Sequence, residues 1–489
     1  SEMCIRDRLE VVKSVYGLLD APRAWWEEVI KFLRSLGFQH SRMDVAYLVR
    51  YREDGSLSAM IVLHVDDMMI AHDGSTACKQ MMTKIRNTYP MGEWTDVASQ
   101  EAGVQYTGRT VSLDGSKIKL SQTDFIHGRM DELKIPRDKN RKHTDLCTPV
   151  EHAEFRSGVG NLHWVTSQTR VDHAVNTSKL QKRQHAPTYG DLKELKKIIK
   201  EVKSTADVEL TIQPMTDPVL GAWTDSSLYG TSGELIERDS DLEGYDKHQI
   251  YSQGGSFLAL MPRGALDDVS DIPFSIADWR TRASKRVLHS TFAAEASACV
   301  ETVGLAKFYR AYYCDILLGH ADWMDVSEFG EDHLPIVIFT DCKSLYDNLK
   351  KDGSVPDDRW VAIPIASLRG AISAGAERNS DKSEMKWVPS RWQLADCLTK
   401  TGLAEGFRRL IFSAKTKLHE LSLAAEKRKK AEKAKGQNIS NGKLSSTSPS
   451  PPSTSTSSSR RYFGSNCVFY CFSEATSREG TAETVGLTG

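Results

Sequence analysis

Cysteine is scarce and scattered, nine in 489 residues, an odd count with no dense cluster. That excludes a small disulfide-stapled scaffold and reads as an intracellular protein with reduced thiols. Long hydrophobic runs are missing as well. The best candidate, residues 59–70, is interrupted by His64, Asp66 and Asp67, short of the roughly 18–20 apolar residues that span a bilayer. The chain therefore reads as soluble, and no membrane partner is expected. Net charge is also lacking, since 64 Lys and Arg against 65 Asp and Glu leave a formal −1. What the chain does have is length, enough for about three domains.

Near-neutrality hides an asymmetry. From 413 to 461, eleven Lys and Arg face three Glu, a net +8, and from 462 onward one Arg faces three Glu, a net −2. Residues 1–412 therefore carry −7, an acidic body joined to a basic tail. Within the tail, 424–435 is a charged, helix-prone run, and 445–459 is almost entirely Ser, Thr and Pro, disordered by composition. The Lys-rich stretch 427–435 is either a non-specific nucleic-acid tether or a solvated helix end. Residues 462–489 follow no readable pattern.

Residues 1–8 fit no periodicity and are expected to be extraneous sequence or a fragment edge. Ala24, Trp25, Val29, Phe32, Leu33 and Leu36 then recur at helical spacing, with Pro22 opening and Gly37 closing one amphipathic helix. Trp25 and Trp26 read as core and boundary packing. Strand-like runs at 46–52 and 57–64 flank Glu53-Asp54-Gly55-Ser56, whose Asp-Gly pair signals a hairpin. A short strand at 117–120 leads into a helix capped by Ser121-Gln122-Thr123-Asp124 and running to about residue 133. A basic loop at 134–149 follows, then helices at about 156–182 and 190–203. From 219 the pattern turns sheet-like around Gly221-Ala222-Trp223-Thr224-Asp225. Strands at 257–261 and 336–339 and helices at 292–313 and from 344 predict an α/β domain over 216–412.

Two sets of carboxylates stand out. Asp66 and Asp67 are adjacent at a turn whose flanks are both apolar. The pair is either a solvated turn or two ligands that repel each other until a divalent cation neutralises them. The second set is Asp225 in an apolar strand, Glu295 on a helix, Asp341 at a strand end and Asp396 in the segment 393–400. Each is unremarkable alone. Together, at element junctions of one domain, they are what two Mg2+ ions about 3.5–4 Å apart need for in-line attack of water on a phosphodiester. Oxygen donors suit Mg2+ or Mn2+ and not Zn2+. Lys134, Arg137, Lys139, Arg141 and Lys142 form a loop that either tracks a phosphate backbone or is simply solvated. Cys467 and Cys471 lack nearby His or Cys at ligand spacing, so no metal is expected there.

Val15-Tyr16-Gly17-Leu18-Leu19-Asp20-Ala21-Pro22-Arg23-Ala24-Trp25 resembles the "YGLKQAPRAW" stretch of copia-type retrotransposon polyproteins, and Val65-Asp66-Asp67 resembles the end of their "YVDD" box. Leu120-Ser121-Gln122 and Cys147-Thr148-Pro149 fall where these proteins carry "LSQ" and "TP". In the same order, Thr224-Asp225, the run from Ser290 to Glu295, Thr340-Asp341-Cys342-Lys343-Ser344 and the run from Val388 to Lys400 are similar to the family's ribonuclease H motifs. Together they cover about 9–412. The resemblance implies a partial polymerase palm over 9–115, thumb or connection helices over 116–215, and a ribonuclease H-like α/β domain with a mixed sheet over 216–412. A basic, disordered, low-complexity tail over 413–489 completes an α/β and α+β chain.

By that resemblance Asp66 and Asp67 hold Mg2+ against the incoming dNTP and the primer terminus. Asp225, Glu295, Asp341 and Asp396 are ligands for cleaving RNA in an RNA–DNA hybrid. Glu295 is chosen because small residues, Ala296 and Ala298, follow it. The implied partners are an RNA template, a DNA primer and the hybrid, with association through a second copy or the rest of the polyprotein left open. The implied locations are a cytoplasmic virus-like particle and the nucleus.

The departures carry information too. The family's first polymerase Asp precedes the Tyr-Gly-Leu segment, so this stretch alone is not expected to polymerise. His64 replaces Tyr, Trp387 replaces His, and an acidic insertion occupies 234–249. Two rivals remain, a non-catalytic nucleic-acid-binding remnant and an ordinary host nuclease. The second has no need of the motifs at 16–25 and 65–67.

Overall fold

The computed structural model describes residues 18–89, 92, 94–130, 133, 135, 140–229, 251–264, 272–284, 288–319, 333–351, 356, 358–373, 383–402, 404–416 and 468–472. They divide into two compact units, one built on Ser1–Thr107 with Asp315–His320 and Arg460–Gly489, the other on Gly108–Cys314 and Ala321–Ser459. The two units part at 107/108, ahead of the hairpin that residues 109–121 form.

The first unit starts with α1 (Ala21–Ser35), which has Pro in its first turn and buries Val29, Ile30 and Leu33. It stops where Gly37 takes φ 88, a conformation that spares glycine the Cβ clash. An antiparallel meander follows: β1 (Gln39–His40), β2 (Tyr47–Tyr51), β3 (Leu57–His64) and β4 (Asp67–His72). The Asp-Gly hairpin between β2 and β3 is as expected. α2 (Thr76–Thr88) is capped by the Ser75 hydroxyl, which accepts from the Cys78 N–H. Its Met81, Met82 and Ile85 pack with Leu48, Ile61, Met68, Ile70 and the buried side of α1 into one core. β5 (Thr95–Asp96) and β6 (Val104–Tyr106) complete this part. The strand Val468–Phe472, from the stretch where no pattern was legible, lies antiparallel between β4 and β5.

In the second unit β8 (Lys117–Ser121) pairs with β7 (Arg109–Asp114) and β9 (Leu210–Ile212). α3 (Thr123–Arg129), α4 (Pro149–Gln168), α5 (Ala174–Lys182) and α6 (Tyr189–Ser204) follow β8. Three expectations need correction here. α3 ends at Arg129, and its N-cap Gln122 makes no side-chain capping bond; the Thr123 hydroxyl donates to the Ala206 carbonyl instead. α4 starts at Pro149, earlier than periodicity suggested, because Thr148 and Glu151 form a reciprocal capping box. The helix expected over 156–182 is broken at 169–173.

A buried guanidinium explains that break. Arg170 is 0% exposed. It holds Asp172 through Nε (3.0 Å) and Nη2 (2.9 Å) and reaches the Val202 and Thr205 carbonyls at the end of α6 through Nη1 (3.2 and 3.0 Å). Arg408 donates to the same carboxylate at 2.8 Å.

The rest of the second unit is a mixed sheet. β10 (Pro218–Tyr229), β11 (Tyr251–Pro262) and β13 (Ser275–Ala283) are antiparallel. β14 (Ile336–Thr340), β15 (Ile372–Ser373) and β16 (Ser383–Trp387) add parallel pairs, giving the order β13-β11-β10-β14-β16-β15. β12 (Ile272–Pro273) pairs separately with β17 (Lys415–Thr416). Alternation sorts the strands' side chains onto two faces. Leu220, Ala222, Ile336 and Ile338 pack under α7 (Thr291–Leu318), α8 (Lys343–Lys350) and α9 (Arg359–Ala371). Val219, Trp223, Val337 and Phe339 face Leu394, Leu398 and Ile411, the last on α10 (Ala404–Ser413). This is the mixed α/β sheet expected for 216–412. The insertion 234–249 and most of the tail lie outside the described residues.

Arg170→Met should destabilise the second unit by roughly 3 kcal/mol, since it strands a buried carboxylate and the last carbonyls of α6. Urea unfolding followed by far-UV circular dichroism measures this.

Candidate metal centre

Strand register brings the carboxylates together. β10 and β14 run parallel with Trp223 opposite Phe339, so Asp225, within β10, and Asp341, just past the end of β14, each two residues further on, lie on the same face of adjacent strands. Across the other ladder Asp225 faces Gly255. A Cβ at Gly255 would meet Leu398 Cβ at 2.8 Å and Thr399 Cγ2 at 2.9 Å, so its missing side chain lets the turn Leu394–Leu398 press against the sheet. That turn carries Asp396. Gln393 fixes it, donating through Nε2 to the Thr224 carbonyl (2.9 Å) and to Asp341 Oδ1 (3.3 Å). Trp387, where a His was expected, donates its indole N–H to the Asp341 carbonyl at 2.9 Å. The Ser290 hydroxyl accepts from the Ala293 N–H at the start of α7, and Glu295 lies one turn in.

Oxygens of Asp225, Asp341 and Asp396 lie within 4.8 Å of one another. Glu295 stands beside this trio: its Oε1 accepts from the Ser226 N–H at 3.3 Å, and its buried Oε2 has no hydrogen-bond partner. The Thr399 hydroxyl donates to Asp225. Lys400 Nζ sits 2.7 Å from Asp396 Oδ1 and 3.7 Å from Asp225 Oδ2.

Burial is the largest force on Asp225, Glu295 and Asp396. Asp225 is 2% exposed, and desolvation pushes its carboxyl up against the pull of Lys400 and Thr399. Burial and then the charges of Asp225 and Asp341 carry Glu295 to about 9. Burial and Asp225 carry Asp396 to about 7. Carboxyls held this far up are short of positive charge. Hard oxygen donors at this spacing, with one buried oxygen unsatisfied, fit Mg2+ or Mn2+. All four acids named from sequence are thus neighbours. Gln393, Thr399 and Lys400 were not singled out, although they lie in the same run as Asp396.

Asp66 and Asp67 are placed differently. Val65 and Asp66 form the two-residue turn between β3 and β4, with His64 opposite Asp67. Val65 adopts φ 57, a strained conformation for a β-branched residue, and its carbonyl accepts from the Trp25 indole at 3.3 Å. Both acids are half-buried, and among the described residues no third ligand joins them. Trp25 also packs edge-on against Tyr89, while Trp26 stacks on His40.

In the basic loop, Lys134, Arg137 and Lys139 lie outside the described residues. Arg141 pairs with Glu151 at 2.5 Å and lies 4.3 Å over the Tyr189 ring, so its charge is engaged within the fold. Lys142 is exposed. A further cluster, His72, Asp73 and Cys78, also lies within 4.8 Å. Its charge is already matched, because Arg52 pairs with Asp73 and the Ser75 N–H donates to the same carboxylate.

Residues 6–146 match the model of the reverse transcriptase (RNA-dependent DNA polymerase) family. The chain is 24% identical over 249 residues to the retrovirus-related Pol polyprotein from transposon RE2 of Arabidopsis thaliana, covering 49% of this chain and 16% of that protein. It is 23% identical over 336 residues to the one from transposon TNT 1-94 of Nicotiana tabacum, covering 62% and 22%. The chain thus spans less than a quarter of the length of these relatives. A solved structure, LC9-RNase H1, a type 1 RNase H with the type 2 active-site motif, is similar at 14% identity over 36% of this chain and 66% of that one, with a TM-score of 0.18, too low to bear on the fold.

The raised carboxyls predict a pH dependence. An acid whose pKa is higher in the folded chain than in the unfolded one stabilises the fold below the unfolded value, near 4, and loses that contribution as pH climbs to the folded value. In EDTA, therefore, Tm should fall between about pH 5 and 9, the window set by Asp396 and Glu295. Glu295→Gln should flatten the fall, and Mg2+ should restore Tm most at the alkaline end. Differential scanning calorimetry across that range checks all three.

Proposed function

We propose, for a chain that is a piece of a retrotransposon polyprotein with a reverse transcriptase domain, that the second unit is a Mg2+-dependent ribonuclease H acting on RNA–DNA hybrids. The observation that carries this reading is the convergence of Asp225, Asp341 and Asp396 oxygens within 4.8 Å, beside the unpartnered Oε2 of Glu295. Bound divalent cations would activate a water and stabilise the charge developing on the phosphodiester. The chain's own residues supply the frame. Asp225 and Glu295, buried in the sheet and in α7, form the fixed floor of the centre. Asp341 and Asp396, half-buried, form the side that a phosphate can approach. Gln393 bridges Asp341 to the strand carrying Asp225, which keeps the spacing constant.

In the first unit, Asp66 and Asp67 belong to the polymerase metal site on this reading, facing the dNTP and primer. The strained Val65 turn, tied to α1 by Trp25, presents them. For the nucleic-acid backbone, exposed Lys142 is a better candidate than Arg141, which is spent on Glu151. Lys134, Arg137 and Lys139 stay proposed contacts from sequence. The proposed setting is intracellular, with free thiols at Cys78, Cys147, Cys299, Cys314, Cys342 and Cys397.

Incubated with a labelled RNA–DNA hybrid, the chain should cut the RNA strand in Mg2+ and not in EDTA. Asp341→Asn should lower the rate about a thousandfold, the loss expected when a metal clamp worth several kcal/mol is broken. Asp66→Asn should leave hybrid cleavage unchanged. Binding of the hybrid without metal-dependent turnover would favour the non-catalytic remnant.

A further inference from the structure

We propose that Lys400 is a built-in counter-ion of the carboxylate centre: its ammonium holds the place between Asp225 and Asp396 until a divalent cation displaces it. The inference rests on the metal-site reading of that centre and adds a residue that gates the site.

Geometry is the first support. Nζ lies 2.7 Å from Asp396 and 3.7 Å from Asp225, so one ammonium touches two of the three acids that converge. Its distances to both are those of a charge bridging ligands, while an ordinary i,i+4 pair would stop at Asp396. The second support is the contrast in burial. The Lys400 side chain is 42% exposed, against 3% for Asp225 and 16% for Asp396. The stem thus enters from solvent, and only its tip reaches the acids. A partly exposed ammonium on a flexible stem is held weakly and leaves at little cost. The carboxylates, set in the sheet and the Gln393-fixed turn, stay where they are.

The third support is the charge requirement. Four acids crowd a site where burial already resists ionisation, and a single monovalent ammonium cannot neutralise them. Lys400 reaches Asp225 and Asp396 and leaves the buried Oε2 of Glu295 without a hydrogen-bond partner. Lys400 therefore limits the repulsion without ending it. The acids keep ligand-like spacing in the absence of metal, and a strong residual pull for a divalent ion remains. Once displaced, the ammonium stays tethered at the solvent side of the centre, the side a phosphodiester approaches.

Two readouts on the whole chain test this. At pH 8.5, calorimetric titration with Mg2+ should give a Kd about fivefold lower for Lys400→Met than for the wild type, because a competing cation has gone. Lys400→Arg, which keeps the charge, should bind more weakly than Lys400→Met. Independently, reductive methylation followed by mass spectrometry should modify Lys400 several-fold faster when saturating Mg2+ has freed its amine. Wild-type chain that binds Mg2+ while Lys400→Met binds no tighter, or while Lys400 reactivity stays constant, overturns the counter-ion role and leaves the metal site standing. If neither wild type nor Lys400→Met binds Mg2+, both ideas fall.

Discussion

Repulsion among crowded carboxylates, two buried and two half-buried, is the constraint around which the second unit is arranged. Asp225, Glu295, Asp341 and Asp396 would separate if each followed its own electrostatics, and desolvation makes the crowding of Asp225, Glu295 and Asp396 worse. They stay together because each is fixed by an element with other reasons for its position. Asp225 and Asp341 extend the Trp223–Phe339 register of two parallel strands. Glu295 is on a helix whose Ala293, Ala296 and Cys299 are packed in the core. Asp396 rides a turn that fits only because Gly255 has no side chain. The energy of two apolar layers is thus spent on holding like charges within ligand distance.

Such an arrangement explains features that look unrelated. Trp223 and Phe339 stack at 4.6 Å and stiffen the strands just before each aspartate. The Arg170–Asp172–Arg408 network ties α6 to α10, which packs on the same face of the sheet as the Asp396 turn. Lys400 supplies part of the missing positive charge. On the proposed reading, acids fixed in this way beside a removable cation would form a centre prepared for a divalent ion, which a loose set of surface acids is not.

Much of this was legible in the sequence because the relevant signals are local. The acids lie in short motifs at the ends of apolar runs, and the apolar runs around Trp223 and Phe339 mark the strands that carry them. The Asp-Gly hairpin and the helix closed by Gly37 follow from residue chemistry alone. What escaped depends on partners distant in sequence. The break at 169–173 needs Arg170 to find the end of α6. The early start of α4 needs Thr148 and Glu151 to be read as a pair, against a loop-like composition. Val468–Phe472 gains its strand only from the open edges of β4 and β5. Lys400 looked like the last letter of a motif, and its charge acquires meaning only once Asp225, 175 positions earlier, is beside it.

The most direct test is the position of a divalent cation in the folded chain. Crystals soaked in Mn2+ and measured at the manganese absorption edge should show anomalous density bounded by Asp225, Asp341 and Asp396, with the Lys400 ammonium turned away. Anomalous density absent from that centre at saturating Mn2+, with Lys400 still bridging Asp225 and Asp396, would contradict the account.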